Sequence, residues 1–149
     1  MALARSVFLC LLIPAGCAWS AVGTNAPEYI LGAFADDYSI TYSISEDAWI
    51  QHPNTVYHIR KWQVDEQYVI AQNAPDNPSA PRMWTRIDWI ELDGMQPYTW
   101  AYCISVYDAP SAESAEEVTI ADRENPRTGC NGFPFSRMKI ETTNQTDIQ

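Results

Sequence analysis

The most restrictive stretch of the chain is 97–107, where Tyr98, Trp100, Tyr102, Ile104 and Val106 occupy every second position. Successive side chains of a strand point to opposite faces, so this period-two stripe lays large apolar groups on one face of a sheet. A helix would scatter the same residues around its axis. The stripe therefore predicts a strand whose apolar face meets the core, with Cys103 on the opposite face.

The rest of the chain repeats the pattern at shorter range. Segments 29–34, 38–44, 48–51, 55–62, 67–72 and 83–92 read as strands, and Tyr38, Ile40, Tyr42 and Ile44 alternate with Ser and Thr. Between them stand Asp36-Asp37, Ser45-Glu46-Asp47, His52-Pro53-Asn54 and Asp65-Glu66, with Asp93-Gly94 marking a hairpin before the 97–107 strand. Turn residues at roughly 8–12-residue spacing are the signature of an antiparallel sandwich or barrel. Residues 73–82 hold three prolines and read as a loop. One helix is expected at 111–118, capped by Ser111 and too short to stand without docking on the sheet. The predicted fold is mostly β, an antiparallel meander closing into a small barrel or sandwich, with one short helix in the C-terminal third.

Ahead of this domain, Arg5 precedes an apolar run over 7–13, followed by the small residues Ala15, Gly16 and Ala18. That order is a secretory signal, and the run is about half the ~20 apolar residues a membrane span needs. Two processing routes stay open. Cleavage after Ser20 removes the leader over 1–20, whereas Pro14-Ala15-Gly16-Cys17 resembles a lipobox that would make Cys17 a lipidated N-terminus. Taking twenty residues from 149 leaves 129, or 133 with Cys17 retained, enough for one core. Residues 21–28 read as a lead-in or tether, 29–140 as the domain and 141–149 as a polar tail.

Either route leaves Cys103 and Cys130 as the structural thiols, an even pair in an oxidising compartment. Closing the intervening 26 residues stabilises by roughly 3 to 4 kcal/mol in the chain-entropy account. A two-cysteine metal site lacks neighbouring His or Cys ligands. The formal charge of −10 becomes −11 once Arg5 is removed, which argues against nucleic acid and anionic lipid surfaces as partners. Membrane association is expected only through a lipid on Cys17. A small molecule or another envelope protein remains open as partner.

Signatures of common catalytic machinery are missing, including a Gly-x-Ser-x-Gly elbow, a His-Glu-x-x-His helix and a Gly-rich phosphate loop. Neither a cofactor nor a metal is indicated, and His52 and His58 read as a turn residue and a cross-strand partner. The most unusual segment is 84–89: Trp84, Arg86 and Asp88 share one face while Ile87 and Trp89 share the other. An Arg and an Asp among Trp rings are costly to bury unless paired. Such a pair either orients a sugar or small anion in a barrel mouth or plugs one end of the barrel. Trp84, Arg86, Asp88, Trp89 and Trp100 are accordingly the candidate ligand contacts. Paired carboxylates from Asp36, Asp37, Glu46, Asp47, Asp88 and Glu91 are the hydrolase route, although no spacing selects a pair.

Several stretches in combination carry a resemblance: Ile70-Ala71-Gln72-Asn73, Trp84-Thr85-Arg86-Ile87-Asp88-Trp89, Tyr102-Cys103 and Gly129-Cys130-Asn131-Gly132-Phe133-Pro134-Phe135. They resemble a group of uncharacterised secreted or lipobox-bearing bacterial proteins with an IAQN strand, a W[ST]RxDW strand, a YC strand and a closing GCxGFP[WF] motif. The resemblance spans about residues 32–138. Asn131 stands where a further Gly is common, and Phe135 where Trp is common. The likeness implies export, one domain and the Cys103–Cys130 pairing, and carries over no catalytic residue. The function expected is that of a non-catalytic exported lipoprotein or periplasmic protein of the cell envelope, acting by binding or as structure. A lipocalin-like carrier with an aromatic pocket and a carboxylate-dependent hydrolase are the alternatives.

Overall fold

The computed structural model describes residues 26–142. The leader, the lipobox-like 14–17 with Cys17, and most of the tail lie outside the described residues. Eight strands follow one another: β1 (Gly32–Asp36), β2 (Thr41–Ile44), β3 (Ala48–Gln51), β4 (Thr55–Gln63), β5 (Tyr68–Asn73), β6 (Trp84–Glu91), β7 (Trp100–Ala109) and β8 (Ser136–Ile140). Each pairs antiparallel with its neighbour, and β8 pairs with both β7 and β1 to close a barrel in chain order. Of the two architectures expected, the barrel is the one formed. The helix is α1 (Ala112–Glu116), with the Ser111 hydroxyl accepting from the Ser114 amide at its N-terminus.

Alternation along the strands sends Phe34, Tyr42, Trp49, Tyr57, Trp62, Trp89, Trp100, Tyr102 and Met138 into the barrel, all buried. The rings meet edge to face, with Phe34–Trp100 centroids at 5.2 Å and Trp49–Trp100 and Trp62–Trp89 at 5.7 Å. An eight-stranded barrel is only wide enough for a layer of side chains or one small guest, and here side chains take the space. At one end a 3-10 turn, Glu28–Ile30, tucks Ile30 and Ala26 into the core. The residues from Ala26 that read as lead-in thus belong to the packed domain.

Four local departures from the expected strands have physical causes. Tyr38 leaves its stripe because Asp36–Ser39 forms a turn, with Ser39 at φ 68°, and the ring is 66 % exposed. Thr99 and Tyr98 precede β7 instead of starting it, and Tyr98 lies under the Arg137 guanidinium. Val106 faces outward because Arg86 pairs with Val106 and Ile87 with Ile104, leaving Ser105 as an unpaired bulge residue that reverses the side-chain phase. The fourth is β8, whose Met138 enters the core and which completes the barrel from a segment without a strong strand signal.

Candidate functional site

The barrel wall separates the five sequence candidates into two groups. Trp89 and Trp100 are fully buried inside, where Trp89 Nε1 donates to the Tyr29 hydroxyl at 3.1 Å. Trp100 Nε1 has no hydrogen-bond partner among the described residues. Trp84, Arg86 and Asp88 sit on the outer face, under α1 and the loop that follows it. They do not meet Trp89 and Trp100 in one site.

Asp88 is the centre of the outer group. It is buried, and its carboxylate accepts from Arg86 Nε and Nη2 at 2.9 Å each, from Arg123 Nη2 at 2.6 Å and from the Ser105 hydroxyl at 2.5 Å. Ser105 lies on the outer face two residues from Cys103, which pairs with Asp88, so its hydroxyl reaches that carboxylate. Arg86 Nη1 donates to the Glu116 carbonyl at the end of α1, at 2.6 Å, and the guanidinium stacks on the Tyr68 ring at 3.9 Å. Arg123 also donates to the carbonyls of Glu66, Gln67 and Trp89. Every acceptor position of Asp88 is taken, so a ligand would have to displace a protein donor. The arrangement fastens α1 and the 121–125 loop to the barrel. Arg123 was not singled out from the sequence, because it lies 35 residues from Asp88 in a polar segment without periodicity.

Beside this clip, Glu116 accepts from Lys61 and from the Tyr68 hydroxyl. The Lys61 hydrogen bond, then that of Tyr68, holds the Glu116 carboxyl below its usual range, while burial pushes Tyr68 up to about 12. Inside the barrel, Asp36 accepts from the Tyr38 and Ile40 amides and from the Tyr42 hydroxyl. Tyr42 spends its hydrogen on Asp36, leaving Tyr102 to donate to Tyr42 across 2.7 Å. Burial drives Tyr42 well above the ordinary phenol value and Tyr102 up to about 12. Asp36 therefore lies in the interior network and Asp88 in the outer clip, so these two buried carboxylates do not face one cleft. His52 pairs with Ser43 on the surface.

A cleft of about 450 Å³ opens elsewhere on the outer wall. Its floor is Ala101 and Phe135, part of a small apolar cluster with Ile90 and Cys103 that forms outside the barrel. Tyr38 and Met95, both exposed, and Leu92 form its sides with Pro126 and Pro134. Three charged groups line it: Asp37, Arg127 and Arg137. Arg137 Nε donates to Asp37 at 2.9 Å and the guanidinium lies over Tyr98, while Arg127 joins no ion pair among the described residues.

The wall carrying Pro126 and Pro134 is built by the Cys103–Cys130 disulfide, which crosses the outside of the sheet with its Cα atoms 5.5 Å apart. The Phe135 amide donates to the Pro126 carbonyl, and Cys130 and Phe133 exchange both backbone hydrogen bonds around Asn131-Gly132. Both turn residues have positive φ, 50° and 88°, which explains why Asn or Gly is needed there. Gly129 passes so close to the Asp122 carbonyl that a Cβ would lie 1.9 Å from its oxygen. The cleft volume falls within the range of small-molecule sites, and its apolar floor with a free guanidinium suits a ligand with both apolar and polar parts. No family model, no curated protein and no solved structure matches the chain.

Proposed function

We propose that the protein is an exported, non-catalytic binding domain of the bacterial cell envelope, and that it binds on the outside of its barrel. The observation that carries the binding site is the packed interior: nine large side chains fill the space a carrier would leave for its ligand, while the outer wall offers a cleft of about 450 Å³. Export is supported by the leader pattern, by a cysteine pair bonded as in oxidising compartments, and by the resemblance to lipobox-bearing proteins. The hydrolase alternative is disfavoured by the separate surroundings of Asp36 and Asp88. Glu113, Glu116 and Asp122 all titrate below their usual range, opposite to a carboxylate general acid.

The lipocalin-like carrier is the second reading, and Trp100 favours it: an indole N–H without an acceptor in the barrel core is a donor that a guest can satisfy. An amide NMR screen with small fragments separates the two. Shifts gathered at Leu92, Ala101 and Phe135 support the outer cleft; shifts at Ile44, Val69 and Ile87 restore the carrier. For export, mass spectrometry of membrane and soluble fractions of the host finds either a lipidated Cys17 or a start at Ala21. An intact Met1 in the cytoplasmic fraction refutes export.

A further inference from the structure

Resting on the binding reading above, we infer that the outer cleft takes an amphipathic organic anion, a single carboxylate on an apolar or aromatic body. Three observations define that class. The floor of Ala101 and Phe135 with the Leu92 and Met95 sides is apolar, and a ligand without an apolar part would leave it unmatched. The lining charges leave one positive charge unspent, because Asp37 is neutralised by Arg137, from which it accepts at both the backbone amide and Nε. Arg127 remains, an exposed guanidinium in no ion pair among the described residues.

This local sign opposes the whole molecule, whose formal charge is −10. An anion is repelled over most of such a surface. Arg60, Arg82 and Lys139 are likewise in no ion pair among the described residues, but none of them lines this cleft. Arg127 beside the apolar floor therefore favours an anion here. A cationic ligand would face Arg127 and Arg137 together, with the one nearby carboxylate already engaged. A neutral apolar ligand would partly desolvate Arg127 without replacing its hydrogen bonds, which costs affinity. A carboxylate restores them, since guanidinium and carboxylate pair through two parallel N–H···O bonds. The Arg137–Asp37 pair then forms the far rim, held in place by the Tyr98 ring beneath it.

The test is an amide NMR titration of the purified, disulfide-bonded protein with phenylbutyrate, phenylbutanol and phenylbutylamine, repeated on Arg127→Gln. Arg127 is exposed and makes no ion pair among the described residues, so the variant keeps the fold, and an unchanged spectrum away from the cleft verifies that. The expected result is saturable shifts at Leu92, Ala101 and Phe135 with the acid, and about tenfold weaker binding in the variant, as for one lost charge-assisted pair. The alcohol should bind about tenfold more weakly than the acid and the amine should leave these signals in place. Equal binding of acid and alcohol, with no effect of the variant, overturns the anion class while leaving the cleft as a binding site. Failure of all three to move cleft resonances overturns both. A response of the barrel interior overturns the site and returns the reading to the carrier.

Discussion

Replacing Asp88 by Asn removes one negative charge and leaves two guanidiniums aimed at an amide. The carboxylate is fully buried, Arg86 has 6 % of its side chain exposed and Arg123 28 %. Removing one partner of a buried pair costs about 3 to 5 kcal/mol, because the surviving charge is left uncompensated. Arg123 keeps the Glu66, Gln67 and Trp89 carbonyls and is partly wet, which places the expected loss at the lower end, about 3 kcal/mol. A domain of this size loses about 3 to 5 °C in Tm per kcal/mol, so the midpoint should fall by about 10 to 15 °C. Calorimetry and urea unfolding of the oxidised protein measure it. The double variant Arg86→Met with Asp88→Leu removes Asp88 and its most buried partner, leaving only the partly wet Arg123, and its loss should be smaller than that of Asp88→Asn alone. A single-variant loss below about 1 kcal/mol would refute the reasoning, since the clip would then behave as an exposed ion pair.

Reducing the disulfide, or the variant Cys130→Ser, should cost roughly 3 to 4 kcal/mol in urea unfolding and abolish any shift at Phe135 on adding phenylbutyrate. Gly129→Ala places a Cβ 1.9 Å from the Asp122 oxygen, and should cost about 2 kcal/mol, more than Gly132→Ala, where nothing lies near the new carbon and only backbone strain is added. Glu116 has a folded-state value below its unfolded one, so its contribution is complete at neutral pH and is lost as pH falls through the carboxylate range. Urea midpoints of Glu116→Gln should therefore lie below wild type at neutral pH and converge with it in acid.

What the sequence disclosed follows from how local each cause is. Strand alternation needs only near neighbours, so the phase of 84–89 can be read directly: Arg86 and Asp88 face out while Ile87 and Trp89 face in. The same reasoning holds in β7 as far as Ile104 and fails at Val106, because the Ser105 bulge depends on what β6 offers opposite it. Cys103 on the outer face was legible from the Trp100–Tyr102 phase. The partners that complete Asp88 were not, since Arg123 arrives from a loop placed by the helix and the disulfide. The cleft was less legible still. Its lining runs from Asp37 to Arg137, residues that meet only because β8 closes the barrel beside β1.

The abundance of aromatic residues invites a ligand pocket, yet eight of them fill the barrel interior. Trp49, Trp62, Trp89 and Trp100 line the interior, and a guest there would have to part edge-to-face contacts at 5.2 to 5.7 Å. Core packing at that density resists even a methylene-sized change. Outside, the economics differ. The disulfide holds the 126–135 segment off the wall by its own apolar cluster, so the cleft exists before any ligand arrives and little ordering remains to oppose binding. A chain that fills its barrel and props a loop against the outside leaves its cleft on the outer wall. Binding there needs no opening of the core, whereas binding within the barrel needs the core to come apart.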